Sequence, residues 1–215
     1  MNNDGDNNAF IIQELYKVLK DVIPVKIKEW NMIIKETDQV IIKGYQLLDR
    51  ISLLLSINKD NRKNILLTLS TFDDIEYKLL EKHKKQLKLV KKIILLNMDL
   101  LGDIVESLTQ QYEEINDLYH NIPFKINNKL SQLTANNYNL PSIATILDWS
   151  QYIYQIYATE LERIKLSLIK ILKAFNFQEK EKINEKKQEQ SVLSNNTLID
   201  SKKISYILHY LNLKV

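Results

Sequence analysis

Residues 72–120 read FDDIEYKLLEKHKKQLKLVKKIILLNMDLLGDIVESLTQQYEEINDLYH, and no proline interrupts them. Leu80, His83, Leu87, Val90, Ile94, Asn97, Leu101, Ile104, Leu108, Gln111 and Ile115 follow one another at alternating steps of three and four. A strand would alternate every second residue, whereas this spacing keeps one stripe on one side of an α-helix. TFDD at 71–74 reads as a helix start, with the Thr71 hydroxyl as cap and Asp74 in the first turn. Pro123 is the stop. Such a helix would be roughly 70 Å long. It can bury its seam only against other long helices, which the rest of the chain supplies.

Upstream, Ile11, Leu15, Val18, Leu19 and Val22 form a helical stripe until Pro24 interrupts it by removing a backbone donor. From Trp30 the pattern restarts as Ile34, Thr37, Ile41, Gly44, Leu48, Ile51 and Leu55, widened by Ile33, Val40, Leu47 and Leu54. A glycine on that seam implies a close helix approach, since it otherwise costs about 1 kcal/mol in a helix. Downstream, Ser142 reads as the cap of a helix running to about Phe177. Its seam is Ile143, Leu147, Ser150, Tyr154, Tyr157, Leu161, Ile164, Leu168, Ile171 and Phe175. Residues 56–70 and 121–141 read as connections. Residues 178–196, dense in mixed charge, read as a flexible tether, and apolar spacing returns at Ile204, Ile207, Leu208 and Leu211.

The pattern predicts an all-α fold: an elongated antiparallel bundle of three long helices, the first kinked at Pro24, plus a C-terminal helix on a charged tether. The predicted divisions are a disordered start at 1–8, the bundle at 9–177, the linker at 178–196 and the last helix at 197–215. With 215 residues, three glycines, three prolines and a net charge of +3, the chain suits one helical domain and not a histone-like polycation. It has no cysteine, hence no thiol nucleophile, disulfide or thiolate metal site. The polar start is neither a signal nor a transit peptide, and no apolar run reaches the length of a bilayer span, so an intracellular soluble protein is expected.

Candidate chemistry is sparse. His83, His120 and His209 lie apart, with no carboxylate at ligand spacing, and there is no phosphate loop, HExxH or G-x-S-x-G sequence. The expectation is a protein without enzymatic activity, cofactor, metal or small-molecule substrate. Asn97 and Gln111 are polar seam positions of the kind that fix helix register.

Two surfaces stand out. KLLEKHKKQLKLVKK at 78–92 carries seven lysines against one glutamate, all off the seam. From Ile93 to His120 the same helix carries Asp99, Asp103, Glu106, Glu113, Glu114 and Asp117, with no Lys or Arg. A solvated helix face explains the lysines simply. Lys82, Lys84, Lys85, Lys88, Lys91 and Lys92 could alternatively contact phosphates or an acidic partner. The second surface is a stripe beside the fourth seam, formed by Ile146, Trp149, Tyr152, Ile153 and Ile156. Either the chain itself covers it or a partner does, since Trp and Tyr are favoured interface anchors.

Several of these segments occur together in one known order. Pro24 with Trp30 six residues on, the long helix opening FDDIEYKLLEKHKKQLKLV and ending YEEINDLYHNI, and LPSIATILDWSQYIYQIY resemble the AIRIM family of helical ribosome maturation factors. The most specific matches are Pro141–Ser142, Leu147–Asp148–Trp149, Ile153 and Tyr157. The resemblance runs from about Leu15 to Ile171 and more faintly through the last helix. It implies a non-catalytic adaptor or scaffold that joins an AAA-type ATPase of the AFG/SPATA kind and a second small adaptor. It also implies work in late maturation of the large ribosomal subunit on pre-ribosomal particles, a link to replisome protein turnover on chromatin, and a nuclear and cytoplasmic location. Two other readings need only long helices. One is a coiled-coil adaptor in membrane traffic or the cytoskeleton; the other is an RNA-binding assembly factor using the Lys78–Lys92 face.

Overall fold

The computed structural model describes residues 3–60, 73–120, 141–176, 193 and 197–213. They form four helices: α1 Asn3–Asp60, α2 Asp73–His120, α3 Ile143–Ala174 and α4 Ser201–Leu213. No strand occurs among the described residues, and the fold is an all-α bundle. The connections at 61–72 and 121–140, Thr71 and Pro123 with them, lie outside the described residues, as do residues 177–192 and 194–196. α1 begins at Asn3, inside the stretch read as irregular, and it continues through Pro24. A proline there leaves the carbonyl of Lys20 without its helical donor, but the flanking apolar turns keep the helix going.

Local chemistry sets the other boundaries. The Ser142 hydroxyl accepts the N–H of Thr145 at 3.2 Å and bonds the Thr145 hydroxyl at 2.8 Å, satisfying an orphan donor at the start of α3. Asp200 does the same for α4, where its Oδ1 accepts the N–H groups of Lys202 (2.9 Å) and Lys203 (3.2 Å). α3 closes with the Asn176 N–H on the Lys173 carbonyl at 3.1 Å.

The chain divides into two compact units. The first takes residues 1–32 of α1, 101–163 of α2 and α3, and 197–215 with α4. Its core includes Leu15, Leu19, Ile23, Ile27 and Trp30 from α1, with Leu101, Ile104, Leu108 and Ile115 from α2. Ile146, Trp149, Ile153 and Tyr157 of α3 and Ile204, Ile207 and Leu211 of α4 complete it. Trp30 meets Tyr157 edge-on with ring centroids 5.0 Å apart, and Tyr112 stacks on Tyr154 at 5.5 Å. Favourable ring geometries of this kind add to plain area burial.

The second unit takes residues 33–100 and 164–196. Ile41, Tyr45, Leu48 and Ile51 pack with Leu87, Val90 and Ile94 and with Ile164, Leu168, Ile171 and Phe175; Leu193, the one described residue of the tether, is buried too. The Asn97 amide donates to the Thr37 hydroxyl at 3.0 Å, and that hydroxyl donates to the Ile33 carbonyl at 2.7 Å. Both side chains are buried, so the pair fixes where α1 meets α2, as a polar seam residue should.

Gly44 and Gly102 have opposite roles. A Cβ on Gly44 would strike the Phe175 ring, with Cε2 at 2.6 Å, and would press Val90 Cγ1 at 3.1 Å. Phe175 has no exposure and sits edge-on to Tyr45 at 5.2 Å. A Cβ on Gly102 meets nothing within 4 Å. Gly102→Ala should therefore raise unfolding stability by about 0.5–1 kcal/mol through helix propensity. Gly44→Ala gains the same propensity but overpacks the core at a cost of about 1–3 kcal/mol, for a net loss. Urea midpoints of the two variants should move in opposite directions.

Candidate interaction surface

In the first unit, α3 and α4 run antiparallel: Trp149 meets Tyr206 and Tyr210, Tyr152 meets Lys203, and Glu160 meets Leu198. The stripe chosen from sequence therefore splits. Ile146, Trp149 and Ile153 are buried, with Tyr210 5.0 Å and Tyr206 6.3 Å from the Trp149 ring, both nearly edge-on. Tyr152 and Ile156 are half-buried, and the Lys203 ammonium stands 3.5 Å from the Tyr152 ring centroid, a cation–π contact. Of the two explanations for this stripe, cover by the chain's own last helix accounts for Trp149. What reaches solvent is a rim that includes Tyr206, 61% exposed.

Two polar contacts hold α4 in place. The Tyr16 hydroxyl donates to the carbonyl of Leu211 at 3.2 Å and to that of Tyr210 at 3.4 Å, capping the last turn of α4. At the other end the Leu198 N–H donates to Glu160 Oε2 at 3.0 Å. Glu160 is buried and takes two further bonds from Arg163, at 2.6 and 3.0 Å. Neither Tyr16 nor Glu160 was singled out by the sequence. A lone acid on a mixed-charge helix reads as solvated until the segment that covers it is placed.

The phenols of this unit set a pH limit. Burial, and then the field of Tyr210, raise Tyr16 above the ordinary 10.0. Burial, then Glu160 and Tyr152, raise Tyr157 much further, and burial with Asp200 raises Tyr152. Each raised value means that the folded state holds its proton more tightly than the unfolded chain. The corresponding stability is complete below about pH 10 and is lost as pH rises through the folded values. Unfolding free energy from these groups should be flat from pH 7 to 9 and fall above about pH 10. Tyr157→Phe should flatten much of that fall.

In the second unit, α2 displays the lysines unevenly. Lys82, Lys85, Lys88 and Lys92 are exposed, whereas Lys84 and Lys91 are partly buried. Lys84 bonds Glu81 at 2.9 Å, and that hydrogen bond is the main reason the Glu81 carboxyl lies below its usual range. Lys91 donates to Asn176 Oδ1 at 2.6 Å; burial, and then Lys88, lower its pKa. The surface thus presents four exposed cations from the six chosen. His83 Nδ1 lies 3.4 Å from Gln86 Oε1, and in the first unit His120 lies against the Tyr119 ring. Among the described residues no group of acids and histidines could hold a metal ion, and no helix is long and apolar enough to cross a membrane. Gln111 donates to Glu114 at 3.2 Å.

The architecture is that of an all-α bundle whose distinctive residues, Trp30, Tyr157, Trp149 and Glu160, hold helices together. The family described as C1orf109-like ribosome biogenesis protein matches residues 11–207. The chain belongs to that family, which is the one the Pro24–Trp30 and Ser142–Trp149 segments resemble. No curated protein matches the chain.

Proposed function

We propose that the protein serves ribosome biogenesis as a non-catalytic adaptor. It would link an AAA-type ATPase and a second small adaptor to pre-ribosomal particles during maturation of the large subunit, in nucleus and cytoplasm. The observation that carries the reading is the family match over residues 11–207, which takes in α2 and α3 whole and reaches into α1 and α4. The described polar contacts support the same direction, since they cap helices and pin α4. The ATP chemistry would then lie in the partner. The solvent rim over α3 and α4, with Tyr206, Tyr152, Ile156 and Lys203, is the face assigned to a protein partner, since it joins exposed aromatic area to a rigid backing.

Affinity capture of the tagged protein at moderate salt tests this. Recovery of an AAA ATPase with pre-ribosomal proteins is the expected result, and Tyr206→Glu, which alters an exposed side chain, should abolish it while helicity is retained. Capture of trafficking proteins without an ATPase would refute the adaptor reading. Equal recovery by Tyr206→Glu would refute the assigned face alone. Exposure of Lys82, Lys85, Lys88 and Lys92 favours a second reading, direct contact with RNA phosphates. It predicts binding that weakens steeply with salt, with a slope reduced by about one for each lysine removed.

A further inference from the structure

α2 carries a second apolar stripe that the first does not explain. Leu89, Leu96 and Leu100 are 58%, 50% and 47% exposed, and Ile93 between them is half-buried. Their steps of four, three and four form another heptad seam, turned about 100° around the helix from the buried Val90–Ile94–Leu101 seam. Exposed leucines scattered singly need no explanation; four in register make a continuous face. On the flank of this stripe away from the core lie Lys92 and Asp99, one heptad apart. Both are exposed, and neither has an ion-pair partner among the described residues.

We infer that this stripe is a self-association surface, on which α2 of a second copy packs antiparallel across a two-fold axis. The charge order selects the occupant and its direction. In an antiparallel pair whose apolar layers match Leu89 with Leu100 and Ile93 with Leu96, the same flank of each helix meets across the seam, and the residue before Ile93 of one copy comes within about 3 Å along the axis of the residue before Leu100 of the other. Lys92 of each copy then faces Asp99 of the other, twice by symmetry. The basic first half and acidic second half of α2, which serve no purpose for its own dipole, become complementary in this arrangement. The buried seam occupies the opposite flank, so a parallel pair would find no such match. The stripe spans only about 17 Å, less than a standard interface, which sets dissociation on the order of tens of micromolar. The inference is independent of the adaptor reading.

Sedimentation equilibrium of the full chain, from about 1 to 200 µM, tests it. Wild type should pass from monomer to dimer over that range, and Leu96→Glu should stay monomeric with unchanged helicity. Lys92→Glu and Asp99→Lys alone should each weaken the dimer about tenfold or more by placing like charges together. The combination Lys92→Glu with Asp99→Lys should restore it to within about threefold. The chain has no cysteine, so a Lys92→Cys copy should form a disulfide with an Asp99→Cys copy on mixing. A monomer throughout, a dimer indifferent to Leu96→Glu, or a charge swap that fails to restore association would each overturn the proposal.

Discussion

Trp149→Ala is expected to lower unfolding stability by about 3–5 kcal/mol, the usual cost of truncating a buried tryptophan. That is a large share of the roughly 5–15 kcal/mol that holds an ordinary domain. The loss should be local first. Trp149 is 6% exposed and provides the ring against which Tyr206 and Tyr210 stand. Its removal leaves α4, a helix of 13 residues, with Ile204, Ile207 and Leu211 as its main buried anchors. A helix so short does not hold itself together in water. Hydrogen exchange of the Ile204–Leu211 amides should accelerate more than that of Leu101–Leu108, and Trp149→Phe should restore most of the protection. Uniform acceleration throughout the first unit would show instead that α4 and the rest of the unit open as one.

The same helix marks where sequence reading stops. The α2 reading began at Phe72 and the structure begins at Asp73, with His120 the end in both. Its steps of three and four run on over many turns, mostly on apolar residues, so any other conformation would expose them. Ser142 was legible because a cap is a local matter: its hydroxyl needs only the N–H of Thr145 three residues on. Asp200 was equally legible in principle and was passed over because the last helix was read from residue 197 onward, which put Asp200 inside it and not at its start. Gly44 and Asn97 followed from the seam, since a small or polar residue there implies close approach or register; that Asn97 bonds Thr37 came from the structure alone.

The cover of Trp149 was not legible. Periodicity says that a face is apolar, not whether α4 or another molecule lies on it, and both answers use the same residues. Glu160 was hidden for a related reason: its burial depends on Leu198, 38 positions away. The Leu89–Leu100 stripe was hidden by a stronger signal. Once one seam had been assigned to α2, only the charges off it drew a reading, although the leucines off it have a helical spacing of their own.

Glu160→Ala should cost about 2–4 kcal/mol, below the full penalty for breaking a buried ion pair because Arg163 reaches solvent. The Glu160 side chain is 2% exposed and that of Arg163 20%. Without the carboxylate, Arg163 can rehydrate, but the Leu198 N–H loses its acceptor just before the turn that the Asp200 cap begins. An unsatisfied backbone donor in a half-buried place is expensive. Glu160→Gln separates the contributions. Its amide oxygen can still accept from Leu198 while the charge facing Arg163 is gone, so it should retain more stability than alanine. The comparison is decisive when joined with Tyr16→Phe, which removes the cap at the far end of α4 and should cost about 1 kcal/mol. If both contacts act on the docking of α4, Glu160→Ala and Tyr16→Phe should each raise exchange at Ile204–Leu211. Their combination should then be less than additive, because a helix already undocked cannot be released twice. Full additivity, with α4 exchange unchanged in either variant, would assign Glu160 to the integrity of α3 alone.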